Sequence, residues 1–187
     1  MKTISLLRPF ALAGVLLASV PALAADYVQA AGSTLAFASS YDGKIFVGSF
    51  PGFSTTLRFD PADLASARLD VAIPLAGTRS GNGDRDATLR GPDFLDTARF
   101  ASARYHAEKF RALGGDRYAA DGTLDLHGVS KPVTLTFTWA PGTQPVLAGK
   151  ATVKRLDFGV GQGDWADTGA IPDAVAVSTR VVLKPAD

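Results

Sequence analysis

Val133, Leu135, Phe137 and Trp139 alternate with Thr134, Thr136 and Thr138. A two-residue period sends successive side chains to opposite faces of a strand, so this segment buries one face and wets the other. The same period recurs along the chain. Phe53, Thr55, Leu57 and Phe59 oppose Ser54, Thr56 and Arg58, and Ala67, Leu69, Val71 and Ile73 oppose Ser66, Arg68, Asp70 and Ala72. Leu35 and Phe37 share a face within Ser33–Ser39. Lys44–Phe50 follows a turn signal at Tyr41-Asp-Gly43, and Phe100–Phe110 alternates again. Tyr118, Ala120, Gly122, Leu124 and Leu126 form one face of a further strand. Leu147–Leu156 is another candidate, and Val175, Val177, Thr179, Val181 and Leu183 finish the chain. Short strands between turn signals predict an all-β domain, as a sandwich or a barrel. About eight antiparallel strands that close leave room for side chains or one small ligand. The inward positions mix Phe with Ala67, Ala103, Ala107, Ala120 and Gly122. From the pattern alone, large and small side chains interdigitating in a dry core are favoured over a cavity.

One segment breaks the alternation. Thr78–Asp96 holds Gly81, Gly83, Gly91 and Pro92 around a helix-compatible run, Asp84–Arg90. In a barrel, such an insert is expected to cover one end as a lid over an apolar interior.

The N-terminus predicts export. Lys2 and Arg8 precede an apolar run, Phe10–Val20, and Pro21 is followed by the small-x-small pattern Ala22-Leu-Ala24. The run is shorter than the ~20 apolar residues that span a bilayer. Residues 1–24 therefore read as a signal peptide, leaving a single domain over 25–187. The mature chain is expected to be soluble and without a lipid anchor. A bacterial periplasm fits best, with release from the cell as an alternative. After cleavage, 17 basic and 18 acidic side chains remain, a balance that argues against a nucleic-acid partner or a polybasic membrane surface. The chain has 0 Cys, which excludes disulfides and thiol chemistry.

Few residues suggest catalysis. His106 lies on the polar face of its strand with Arg104 and Glu108, and His127 closes a strand end before Gly128. Neither has metal-ligand spacing to another residue. Asp84, Asp86 and Asp93 intermingle with Arg79, Arg85 and Arg90, a mix that ion pairs and turn caps explain better than an acid/base pair. Gly159-Val-Gly161-Gln-Gly163 follows no βαβ pattern and reads as a bulge or tight loop.

Several short motifs occur in a fixed order between Tyr27 and Leu183. They are Gly48-Ser-Phe50; Leu57-Arg-Phe-Asp60; Thr78 with Asn82, Arg85-Asp86, Leu89 and Pro92-Asp-Phe94; Gly122-Thr-Leu-Asp-Leu-His-Gly-Val-Ser-Lys-Pro-Val133; and Arg155-Leu-Asp-Phe-Gly-Val160. Together they resemble the YceI-like family, bacterial and mostly periplasmic proteins whose lipocalin-like barrel binds polyisoprenoid or similar apolar ligands. The chain departs from that family at Thr88, at Gly32-Ser33 and at Ala101, where the family often has His, His-Ser and Pro.

The resemblance implies an antiparallel lipocalin-like β-barrel with a short helical insert, acting as a binding or carrier protein and not as an enzyme. It implies no metal or covalent cofactor, and a bound polyisoprenoid lipid or quinone as ligand. Wall residues are expected at Phe37, Phe46, Leu57, Val71, Tyr105, Leu124, Phe137, Phe158 and Trp165. A polar head would stay at the mouth, within reach of Arg79, Arg85, Arg90 or Lys131, while Arg85 and Asp86 are expected to pair and pin the insert. The tail Gly161–Asp167 looks like a branch related to domains beside cytochrome b561-type membrane proteins. That makes a membrane cytochrome a candidate partner for a stress-response accessory role, and leaves a homodimer open.

Overall fold

The computed structural model describes residues 25–186. The expected signal peptide, 1–24, lies outside the described residues. Ten strands and one helix follow in the order β1 (Ala25–Gln29), β2 (Thr34–Tyr41), β3 (Lys44–Ser49), β4 (Ser54–Phe59), β5 (Arg68–Pro74), α1 (Gly83–Arg90), β6 (Ser102–Gly114), β7 (Arg117–Leu126), β8 (Val129–Ala140), β9 (Val146–Lys154) and β10 (Ala174–Pro185). Neighbours pair antiparallel in the order β1-β4-β5-β6-β7-β8-β9-β10, and β10 pairs back onto β1, which closes an eight-stranded barrel. The remaining two strands form a hairpin. β10 is long enough to meet β1 through Leu183–Pro185 and β2 through Ala176–Arg180, so the β2–β3 hairpin extends the wall on the same side as β1. The far edge of β3 is met at Ser49, which exchanges backbone bonds of 2.8 and 3.2 Å with Arg79.

The alternation seen in the sequence sets the faces. Thr55, Leu57 and Phe59 are buried while Ser54, Thr56 and Arg58 are exposed. In β6 the register shifts at Glu108, so Ala103, Tyr105 and Ala107 point inward before the bulge, and Phe110 rejoins the core after it. Strand β1 carries no clear two-residue signal and was not expected from the sequence. It forms because pairing with β4 and β10 satisfies its backbone on both edges.

The chain's turns sort to two ends. The β4–β5, β6–β7 and β8–β9 connections lie at the lower end. The β2–β3 turn, the insert, the β7–β8 turn and the β9–β10 connection lie at the upper end, where Asp42 N–H donates to Ala170 O at 3.0 Å and Gly161 N–H to Asp93 O at 2.6 Å. The predicted helix is present. Asn82 caps it by accepting from Arg85 N–H at 2.9 Å, and Gly91 ends it. Among the described residues, no helix is long and apolar enough to cross a membrane.

Candidate functional site

The barrel interior has two contents. Toward the lower end, Phe59 meets Tyr118, Phe137, Phe110 and Trp139 at ring-centroid distances of 5.1, 5.6, 6.0 and 5.0 Å, and Tyr27 closes on Trp139 at 5.6 Å. These rings fill their space. Above them lies a cavity of about 580 Å³, walled by aliphatic side chains that include Leu35, Ile73, Val133, Leu135, Leu147 and Val177.

Glycine positions the wall in two places. A Cβ on Gly48 would lie 2.2 Å from the Phe37 ring, and one on Gly122 would lie 2.5 Å from the His106 carbonyl oxygen and 2.6 Å from the Tyr105 ring. The absent side chains let both rings lie against the sheet. Tyr105 Oη then donates to Ala120 O at 2.8 Å or Val133 O at 3.0 Å, which satisfies the phenol inside an apolar space. Burial pushes its pKa upward, so it stays neutral and acts as wall.

The mouth is polar on one side. Asn82, Asp84, Arg85 and Thr88 of the insert line it, together with Tyr41 and Phe46 of the hairpin and Trp165. Tyr41 lies 6.3 Å from the Trp165 ring, and Phe94 supports Trp165 from below at 5.5 Å. The Arg85 guanidinium stands 4.3 Å over the Phe46 ring. The insert therefore covers the apolar interior as expected from the sequence.

The expected pair between Arg85 and Asp86 is not what holds the insert. Both side chains converge on Ser80, which sequence reading missed. Asp86 accepts from Ser80 N–H and Oγ–H, each at 2.6 Å, while Arg85 Nε donates to Ser80 Oγ at 2.7 Å and Nη2 to Ser80 O at 3.2 Å. The Ser80 hydroxyl bond is the largest cause that holds the Asp86 carboxyl below its ordinary range. Adjacent helical positions point in different directions, so Arg85 and Asp86 reach a shared third group more readily than each other.

Arg155 organises the β9–β10 connection. It is 4% exposed, and its guanidinium donates to the carbonyls of Ile171, Gly161, Val160 and Pro172 at 2.8, 2.9, 3.1 and 3.2 Å. Burial lowers its pKa. A Cβ on Gly161, whose φ is +76°, would lie 2.3 Å from Arg155 Nη1, so this glycine leaves space for the guanidinium. The glycine-rich stretch is thus the tight loop expected of it.

Seven of the ten expected site residues line the cavity: Phe37, Phe46, Val71, Arg85, Tyr105, Leu124 and Trp165. Three do not. Leu57 and Phe137 are buried in the core away from the cavity, Phe137 stacking on Tyr118 at 5.6 Å. Phe158 is buried beneath the β9–β10 connection, where its carbonyl oxygen lies 3.2 Å from His127 Nδ1. Leu57 and Phe137 point inward, but to a level that side chains already fill, while Phe158 lies on the short turn Arg155–Phe158 that follows β9. Of the cations expected at the mouth, Arg85 alone lines it; Arg90 donates to Thr78 O at 3.3 Å, while Arg79 and Lys131 lie outside the lining. Ala151 and Val177, neighbours in register on β9 and β10, also line the cavity wall and were not among the residues expected there. Their inward phase was legible, but nothing local marks the level at which the barrel is hollow.

The histidines sit where the sequence placed them. His106 lies on the outer face, with Nδ1 3.0 Å from Asp70 and Nε2 3.4 Å from Glu108. His127 occupies a left-handed turn position at φ 53°. Among the described residues, no group of three or more His, Cys, Asp or Glu is arranged to hold a metal ion.

Comparison with known proteins fits this geometry. A UPF0312 protein of Shewanella baltica is 31% identical over 157 residues, covering 78% of this chain and 82% of the relative. The crystal structure of Burkholderia cenocepacia BcnA superposes with a TM-score of 0.77 at 28% identity, covering 80% of this chain and 95% of that one. A polyisoprenoid binding domain from Saccharophagus degradans shares the fold, with a TM-score of 0.68 at 18% identity and coverage of 87% and 99%. The model of the YceI-like domain matches residues 27–183, from the first strand to the last, and the chain belongs to the YceI-like family.

Proposed function

We propose that this protein is a periplasmic carrier that holds a long isoprenoid or related amphiphilic chain in the upper half of its barrel. The observation that carries this reading is the cavity: about 580 Å³, lined mainly by aliphatic and aromatic side chains and open at one polar-edged mouth. That volume is in the range that takes a small-molecule ligand, roughly 300–1,000 Å³. Away from the mouth, such a wall offers a chain few charges or free donors, since the Arg155 guanidinium donates to backbone carbonyls. Affinity therefore comes from buried apolar area, at roughly 25 cal/mol per Å², and selectivity from length and girth. The head group rests at the mouth, where Arg85 is the cation available to an oxygen-bearing head. Membership of the family, and the fold shared with a domain described as polyisoprenoid-binding, support a binding protein over an enzyme.

The direct test is mass spectrometry of organic extracts from protein purified under native conditions. Recovery of a stoichiometric prenyl lipid or prenylated quinone is expected. Extracts matching those of an unrelated protein purified in parallel would remove the reading.

A further inference from the structure

The outer surface of the barrel is electrically two-sided. Around β4 to β7, charges of both signs meet in pairs: Arg58 with Asp26, Arg68 with Glu108, Arg104 with Asp70 and Arg111 with Asp121. The outward positions of β2, β3, β9 and β10 differ. Among the described residues they carry no carboxylate, but they carry Lys150, Lys154 and Arg180, all exposed and none in an ion pair. These cations stand on a floor of small side chains, since Lys154 faces Ala174, Lys150 faces Ser178, and Arg180 faces Ala148. The near-zero total charge of the chain conceals this segregation. The balance that argues against a polybasic membrane surface holds for the whole sequence and not for this face.

The same face is apolar where it reaches the mouth. Ile45 is 81% exposed and Val47 60% exposed on the outer side of β3, opposite Ser40 and Ala38 of β2. Between them, Phe46 points the other way, into the cavity. One strand thus shows apolar side chains to solvent on one face and to the ligand space on the other. The hairpin that carries them includes Tyr41, which is 46% exposed and lines the mouth.

We propose that this face seats the protein on an anionic lipid bilayer, with the β2–β3 hairpin at the interface and the mouth beside it. Unpaired Lys and Arg on outward strand positions free of carboxylates complement an anionic surface, with Asp42 of the hairpin turn and Asp84 of the mouth at the edge of that face. Exposed Ile and Val next to a Tyr suit the boundary between head groups and chains. The arrangement lets an apolar cargo pass between bilayer and barrel without crossing water. That purpose rests on the cavity reading; the surface itself stands independently of it.

The test is flotation of the purified protein with vesicles of phosphatidylcholine plus phosphatidylglycerol, against vesicles of phosphatidylcholine alone. Binding to the anionic vesicles, weakened by salt, is expected. The double variant Lys150→Gln/Lys154→Gln should lower partitioning by about thirtyfold, from the usual contribution of each cation near an anionic surface. The double variant Ile45→Ser/Val47→Ser should lose the binding that survives high salt. None of these four side chains lines the cavity, so both variants should keep the melting shift given by a short prenyl alcohol. Equal binding to both vesicle types, or parent-like binding by the lysine variant, would overturn the proposal. So would failure to bind vesicles together with a dimer in solution that the Ile45/Val47 variant dissolves, because the apolar edge would then belong to a second copy. Vesicle binding without any prenyl-induced shift would instead strike the cavity reading and leave the docking face standing.

Discussion

The two halves of this barrel are built from the same alternating strands, yet one is filled and the other hollow. In the lower half, Phe59, Tyr118, Phe137 and Trp139 converge from β4, β7 and β8. These four aromatic rings pack against one another at 5.0–5.6 Å. In the upper half the same strands and their neighbours contribute Thr55, Leu124, Val133 and Leu135, with Ala151 and Val177 opposite. The Phe37 and Tyr105 rings lie back against Gly48 and Gly122, and the aliphatic and small side chains around them leave the centre open. The closed end supplies the packing that keeps the barrel folded, and the open end leaves the cavity in which the proposed ligand would lie. Packing and the proposed binding role thus fall at different levels of one wall.

That division predicts a graded response to truncation. Phe137→Ala should have the largest effect on folding, about 3–5 kcal/mol as in other tightly packed cores, with affinity for a prenyl ligand unchanged among molecules that remain folded. Chemical denaturation with and without ligand measures both. A small folding loss combined with a changed affinity would place Phe137 on the ligand wall and erase the division. Arg155→Met comes next. It strands four carbonyls that the guanidinium now satisfies, and unmet buried acceptors cost about 1–3 kcal/mol each. Rearrangement of the exposed part of the connection recovers some of this, leaving a loss of about 3 kcal/mol. A loss under about 1 kcal/mol would mean that the connection holds itself in place.

Leu124→Ala should cost less than a packed-core leucine. Part of its surface already faces the cavity, so the loss should fall at or below about 2 kcal/mol, the low end of the usual range. Its signature is weakened ligand binding, readable by titration calorimetry. The smallest effect belongs to the outer surface. Arg111 donates to Asp121 at 2.7 and 3.0 Å and Thr134 Oγ–H at 2.8 Å, and these bonds, led by the one from Arg111, hold the Asp121 carboxyl down to about 2. A carboxylate depressed in the folded state stabilises above its unfolded pKa of about 4 and loses that contribution as pH falls towards 2. The pair is solvent-screened, so its share is modest. Asp121→Asn should therefore lower stability slightly at pH 7 and make its acid dependence shallower between pH 4 and 2. Parallel pH profiles for parent and variant would show that the pair contributes nothing.

Much of this architecture could be read from the sequence, for a physical reason. Inward and outward positions differ in chemistry at every second residue, so Leu57, Leu69, Tyr105 and Phe137 were all assigned to the interior and all lie there. The helical insert was legible because Gly81, Gly83 and Gly91 interrupt the period around it. The height of each residue within the barrel was not legible. It depends on the stagger between strands, which register fixes and no single strand contains. That is why Leu57 and Phe137 were expected on the ligand wall and stand in the packed core, whereas Phe158 leaves the wall because the chain turns out of β9 at Arg155. Ser80 was missed for a related reason, because a small polar residue acquires its role only when a loop brings it under Arg85 and Asp86. Strand β1 has too few alternating residues to announce itself, and it is defined by its two partners.

The claim that the upper half is a ligand chamber is tested most directly by filling it. Ala151 stands beside Val177 in the cavity wall, so Ala151→Phe would place a ring in the space that a bound chain would occupy. Thermal unfolding of parent and variant should be compared with a short prenyl alcohol at about a hundredfold excess over its dissociation constant. The parent should gain about 2.7 kcal/mol of apparent stability from mass action, while the variant should melt at or near the parent's ligand-free temperature and show no shift. Equal ligand-induced shifts in the two proteins, or no shift in the parent, would contradict the account.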